Sequence, residues 1–183
     1  YSPENDQVLV ELVKKLGQCQ LVFFDFQSDL TCILKERLET CFQNSKLHLD
    51  DYVKFIPFQS RENFYALMQQ SDLYLDTMGF SGFNTAMQAI ECNLPIVTRE
   101  GKFMRGRLAS GILKRMGMHS LVAKSNEEYI ELVNELIWNQ EKFQQTQSQM
   151  KQAKHILFDD LEPIRSFEQF LLTQCRENKS IKA

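Results

Sequence analysis

Residues 71–98 read SDLYLDTMGFSGFNTAMQAIECNLPIVT. Two short apolar runs, SDLYLD (71–76) and LPIVT (94–98), flank a segment that opens on Gly79, Ser81, Gly82, Asn84 and Thr85. Ala86, Met87 and Ile90 then give that segment an inward stripe, and Asn93 and Pro95 close it. The pattern is strand, tight turn, helix, strand. Both runs are continuously apolar rather than alternating, which is how strands covered on both faces read. The stretch therefore predicts two parallel strands joined by a crossover helix.

The same alternation extends in both directions. Upstream, Ser2-Pro3 signals a helix start; Val8, Leu9, Leu12, Val13 and Leu16 share one face, and Gly17 ends it. QLVFFDF (20–26) reads as a buried strand. Ser28 is placed to cap a second helix, with Leu30, Ile33, Leu34, Leu38, Cys41 and Phe42 expected on its core face. YVKFI (52–56) is the next strand, stopped by Pro57, and Ser60 starts a helix through Phe64, Leu67 and Met68. Downstream, Leu108, Ile112, Leu113 and Met116 mark a helix ended by Gly117, and HSLVA (119–123) is a fifth strand. Ser125-Asn126-Glu127-Glu128 has the form of a capping box, followed by Tyr129, Leu132, Val133, Leu136 and Ile137 at helical spacing. The predicted fold is α/β: a Rossmann-like open parallel sheet flanked by helices, over residues 1–138. Beyond it the pattern thins to six glutamines between 140 and 152 and a narrow stripe of Phe143, Met150, Ala153 and Leu157. Glu162-Pro163 opens a last helix carrying Ile164, Phe167, Phe170 and Leu171. Residues 139–175 are thus expected to be C-terminal helices packed on the sheet domain, and 176–183 a frayed tail.

Composition narrows the function classes. A net charge of −3 argues against broad, unspecific nucleic-acid binding. The five cysteines are odd in number and contain no CxxC pair, so neither a disulfide framework nor a zinc site is indicated; reduced, mostly buried thiols of a cytoplasmic protein are expected. No apolar run approaches the ~18 residues a membrane span needs. His48, His119 and His155 lie far apart and outside any ligand-spaced motif, and there is no D-x-D triplet, so no metal is expected. No Ser/His/Asp or Cys/His constellation points to a nucleophilic enzyme.

Three stretches at strand carboxyl ends carry possible chemistry, because open parallel sheets bind ligands there. The helix start at Gly82-Phe83-Asn84-Thr85 offers unpaired N–H groups and about half a positive charge, suited to a phosphate or diphosphate. Gly82 omits a Cβ, and Asn84 and Thr85 add side-chain donors. The spacing fits a plain capped turn equally well. REGKFMRGR (99–107) sets Arg99, Lys102, Arg105 and Arg107 against Glu100 alone; it reads as an anion-binding loop or as a solvated basic one. PFQSRENF (57–64) brings Gln59, Arg61 and Phe64, whose ring suits either base stacking or the core.

From Phe55 to Phe158 the chain resembles the C-terminal lobe of the O-GlcNAc-transferase-like glycosyltransferases, family 41 of the GT-B enzymes. The similar elements are LDT after a strand, a glycine-plus-polar helix start, LPIVT, a basic GxxxxxR segment and an EEYIELV helix. The resemblance implies a UDP-sugar donor, with the diphosphate at Phe83, Asn84 and Thr85, where the O-GlcNAc branch has His-Thr-Thr. Phe83 departs from it, since it has no hydrogen-bonding side chain. Gln88 stands where the family has an acid on the ribose. Gln59 and Arg61 fall on the stretch contacting uracil and phosphates, Phe64 where a ring packs on uracil, and Arg107 on the arginine of the basic segment. The implied reaction is inverting, metal-independent transfer of a hexose or N-acetylhexosamine to a protein side chain. It needs no cofactor besides the donor substrate. In GT-B enzymes part of the catalytic machinery comes from the N-terminal lobe, so the expected partners are a UDP-sugar, a protein acceptor and that lobe of the same polypeptide, and no catalytic residue is assigned within this chain. The alternatives are a non-catalytic nucleotide-binding or scaffolding module, favoured by Phe83 and Gln88, and a GT-B-like sugar-nucleotide epimerase or small-molecule glycosyltransferase.

Overall fold

The structure is a computed structural model and describes residues 1–25, 29–158 and 160–180. Among the described residues, five strands, β1 (Leu21–Asp25), β2 (Val53–Pro57), β3 (Tyr74–Leu75), β4 (Ile96–Arg99) and β5 (Val122–Ala123), alternate with helices. The helices are α1 (Asp6–Leu16), α2 (Asp29–Asn44), α3 (Arg61–Gln70), α4 (Asn84–Glu91), α5 (Leu108–Arg115), α6 (Asn126–Trp138), α7 (Gln140–Ala153), α8 (His155–Phe158) and α9 (Glu162–Ser180). Every strand pairing is parallel. Among the described residues the pairs form two ladders, β1–β2 and β3–β4–β5. The α/β reading with parallel sheets holds.

β4 sits in the middle of its ladder, and Ile96, Val97 and Thr98 are fully buried. A strand paired on both edges and covered on both faces has no exposed position for a polar side chain, which is why LPIVT reads as an unbroken apolar run. Around it lie Val10, Leu12 and Val13 of α1, Ala86, Ala89 and Ile90 of α4, Leu113 of α5, and Tyr129, Val133 and Leu136 of α6. Each fully buried aliphatic side chain contributes about 1.5–3 kcal/mol. Met150 of α7 is fully buried as well, so the glutamine-rich helix is anchored through its narrow stripe.

The helix signals act locally. Gly17 takes φ 76° and donates its amide to the Val13 carbonyl at 2.9 Å, ending α1 in a conformation that favours glycine. The Ser60 hydroxyl accepts from the Asn63 amide at 3.3 Å, and the Ser125 hydroxyl from the Glu128 amide at 3.2 Å. The Glu128 carboxylate reaches back to the Lys124 amide at 2.7 Å, one residue beyond the cap itself.

Several expectations need correction. Residues 3–5 form a 3-10 turn and α1 starts at Asp6, so Ser2 makes no side-chain cap. Leu30 and Ile33 were expected in the core and are 77% and 53% exposed; α2 turns Leu34, Leu38 and Phe42 inward instead. Ser28, its expected cap, and Phe26 of the first strand lie outside the described residues. The third strand shrinks to Tyr74–Leu75, because Ser71 caps the end of α3, its amide donating to the Met68 carbonyl and its hydroxyl to that of Leu67. The fifth shrinks to Val122–Ala123, because His119–Leu121 closes as a 3-10 turn. Helix α9 continues to Ser180, past the boundary where a frayed tail was expected; residues 181–183 lie outside the described ones. The thiols are free and none is fully buried, Cys32 and Cys175 being exposed.

Candidate functional site

The segment between β3 and α4 is organised from beneath by Asp76. This carboxylate is 3% exposed. It accepts from the Ser81 hydroxyl at 2.7 Å, the Thr98 hydroxyl at 2.6 Å and the Gly82 amide at 2.8 Å. Burial pushes its carboxyl up, while Thr98, Ser81 and the amides of Gly82 and Thr77 pull it back down. A second tier joins the glycine loop to the basic loop. The Ser81 amide donates to the Arg105 carbonyl at 2.7 Å, and the Ser81 hydroxyl accepts from the Ala109 amide, at the start of α5, at 2.8 Å. The basic loop is closed on itself by the Gly101 amide on the Gly106 carbonyl at 2.8 Å, with a backbone approach that a Cβ on Gly101 would obstruct at 2.9 Å. Asp76 stands in the LDT motif, and nothing local in the sequence marks it as the residue that holds the loop.

The predicted site residues fall into three groups. In the first, Phe83 precedes α4 and is 54% exposed, with no side-chain cap bond. Asn84 is exposed, and Thr85 and Gln88 are half-buried. The first intrahelical bond recorded at this end is that of the Met87 amide to the Phe83 carbonyl, so the amides of the first turn precede the helical ladder. The Gly82 amide does not join them, since Asp76 takes it. A Cβ on Gly82 would overlap Thr85 Oγ1 and stand 2.5 Å from the Tyr74 hydroxyl, so the glycine makes room for that pair. Tyr74 and Thr85 are 2.7 Å apart, hydroxyl to hydroxyl.

The second group lies after β2. Gln59 folds back and donates to the Pro57 carbonyl at 2.7 Å. The Arg61 guanidinium lies over the Tyr65 ring at 5.6 Å, and the Phe64 ring packs against Phe24 at 5.4 Å between centroids. Phe64 is half-buried at the edge of the core. The Tyr65 hydroxyl bonds Glu91, tying α3 to the far end of α4.

The third group is the basic loop. Arg107 donates from Nε to Glu100 at 3.1 Å, and Lys114 grips both oxygens of the same carboxylate at 2.7 and 2.8 Å. Lys114 first, then Arg107, holds the Glu100 carboxyl below its usual range. Arg99 bonds Asn126. Arg105 lies over the exposed Phe103 ring at 5.2 Å. A cavity of about 220 Å³ adjoins the glycine loop, with Thr77, Gly79, Phe80 and Arg105 in its wall. Hydrogen bonds join the first and third groups through Ser81. Among the described residues, Gln59, Arg61 and Phe64 make no hydrogen bond to either. Also among the described residues, no three His, Cys, Asp or Glu side chains cluster as a metal site, and no helix is long and apolar enough to cross a membrane.

The sequence profile of glycosyl transferase family 41 matches residues 3–163. The chain belongs to that family. Relatives similar to this family 41 chain include the probable UDP-N-acetylglucosamine–peptide N-acetylglucosaminyltransferase SPINDLY of Petunia hybrida, 33% identical over 72 residues, which are 39% of this chain and 7% of the relative. The protein of the same name from Arabidopsis thaliana is 32% identical over 68 residues, 37% of this chain and 7% of the relative. Among solved structures, a mutant of the Thermobaculum terrenum O-GlcNAc transferase superposes with a TM-score of 0.85 at 21% identity, over all of this chain and 35% of that one. At that identity the likeness is one of fold, that of a segment of an O-GlcNAc transferase. The family 41 chain thus spans about a third of the solved chain and a small part of each plant relative.

Proposed function

We propose that this chain is the UDP-sugar-binding part of an inverting protein glycosyltransferase that works without a metal. The observation that carries the reading is the first turn of α4. Its amides and the Thr85 hydroxyl lie just beyond the carboxyl end of β3, on a loop that Asp76 and Ser81 hold in place, in a chain of family 41. As the sugar leaves, negative charge grows on the diphosphate. Donors fixed beforehand stabilise that charge with little reorganisation. Asn84 and Thr85 supply donors; Arg105, on the loop that Ser81 clips to them, supplies positive charge. Phe64 and Arg61 serve the base side, and Gln88 a ribose hydroxyl. The cavity beside the loop, about 220 Å³, is below the 300–1,000 Å³ usual for a small-molecule site. A facing N-terminal lobe of the same polypeptide would complete it, and the exposed apolar side of α9 would lie against that lobe. The acceptor is a protein side chain presented from there.

Isothermal titration of the chain with UDP tests the reading. UDP binds, and Thr85→Ala and Phe64→Ala each weaken it; no heat at millimolar UDP overturns it. A second reading, a nucleotide-binding module without transfer activity, rests on Phe83, whose exposed ring offers no donor at the mouth of the turn. Transfer activity of a polypeptide carrying both lobes would exclude it.

A further inference from the structure

Thr85 falls on the family pattern described above and Tyr74 does not, yet the two meet in a specific geometry. Tyr74 is held in β3, its amide donating to the Pro95 carbonyl at 2.8 Å. Its half-buried ring runs under the glycine loop and ends 2.7 Å from Thr85 Oγ1. The space for this contact exists because residue 82 is glycine. We propose that Tyr74 is a positioning residue for Thr85: its phenol donates to Thr85 Oγ1 and so leaves the threonine proton free to point at an anionic oxygen of the ligand. This rests on the donor-binding reading above.

The direction follows from proton counting. Each hydroxyl has one proton, and the two oxygens share one hydrogen bond. When Thr85 donates to a phosphate oxygen, it can only accept from Tyr74. The phenol is the stronger acid of the two and therefore the better donor. Burial, then Asp76 and Tyr1, push its pKa up to about 12 against the pull of Thr85, so it keeps its proton through the physiological range. A bond donated to Thr85 polarises the threonine O–H, strengthening the next bond by about 10–30%.

The test is titration of UDP and of uridine into the unsubstituted protein, Tyr74→Phe, Thr85→Val and their double variant, and of UDP into Thr85→Ser with and without Tyr74→Phe. The expected result is UDP binding about five- to tenfold weaker in Tyr74→Phe, the scale of one net hydrogen bond. Uridine binding is unchanged, and in the Thr85→Val background Tyr74→Phe alters UDP affinity less than twofold. Thr85→Ser keeps the hydroxyl and keeps the sensitivity to Tyr74→Phe. A merely structural Tyr74 would lower the melting temperature and leave UDP affinity within twofold, or weaken uridine equally, or act alike with and without the Thr85 hydroxyl; each overturns the relay. As a second readout, the tyrosinate transition that is missing from Tyr74→Phe should move to higher pH in the unsubstituted chain at saturating UDP, and no movement overturns it too. If the unsubstituted chain fails to bind UDP, the donor-binding reading fails and the relay with it; normal UDP binding with an indifferent Tyr74→Phe removes only the relay.

Discussion

Ser81 donates its hydroxyl proton to Asp76 at 2.7 Å while the same oxygen receives the Ala109 amide at 2.8 Å. One buried side chain thereby ties the end of β3 to the start of α5. Asp76 in turn holds Thr98 on β4 and the amide of Gly82. Removing its charge removes one acceptor from a set of donors that have no water to turn to. Asp76→Asn should therefore cost about 1.5–3 kcal/mol, the range for hydrogen bonds to a charged group. Urea unfolding measures it. A cost below ~1 kcal/mol would mean that the donors find other partners.

Two glycines make a matched pair of tests. Gly82→Ala forces a methyl group into the Tyr74–Thr85 contact, and overpacking of this kind costs about 1–3 kcal/mol. Gly111, inside α5, has nothing within 4 Å of a Cβ, and alanine there should stabilise by about 0.5–1 kcal/mol. Thermal unfolding of the two variants should move in opposite directions from the unsubstituted chain.

Alkaline pH should unfold the protein through its buried phenols. The Tyr74 pKa is raised to about 12, and burial raises that of Tyr129 further. The folded state thus binds these protons more tightly than the unfolded chain, whose tyrosines titrate near ~10. Their contribution is fully present below pH ~10 and falls as pH rises toward 12, since stability drops wherever the native state holds more protons. Denaturant midpoints taken between pH 9 and 12 should fall, and fall less steeply for Tyr74→Phe.

Helix α9 carries Ile164, Phe167, Phe170 and Leu171 at helical spacing, all exposed. Phe167→Asp should leave the unfolding free energy within about 0.5 kcal/mol, as surface changes do, and reduce the fluorescence of a hydrophobic dye bound to the chain. A loss above ~1 kcal/mol would show that this face packs on the lobe.

What the sequence disclosed was what neighbours in the chain decide. Ser60 and Ser125 cap their helices, Gly17 ends one, and the LPIVT run lies buried, because each depends on residues a few positions away or on burial of a whole strand. Leu30 and Ile33 escaped it because the face a helix turns inward depends on what lies beneath, and α2 had only its own periodicity to declare. The Asp76 network escaped it for the same reason. Asp76 meets Thr98 across 22 positions, and Ser81 meets Ala109 across 28. An aspartate at the end of a strand gives no local sign of which distant donors will surround it. Tyr74 and Thr85 are closer in sequence, yet their meeting depends on the absent side chain at Gly82.

The clasp through Ser81 has a consequence for how a ligand would be received. The glycine loop and the basic loop are fastened before anything arrives, so neither has to be frozen on contact. Ordering mobile side chains at an interface takes about 0.5–1.5 kcal/mol each. A mouth whose two lips are already stitched at Ser81 avoids much of that toll, and grips by shape held in advance.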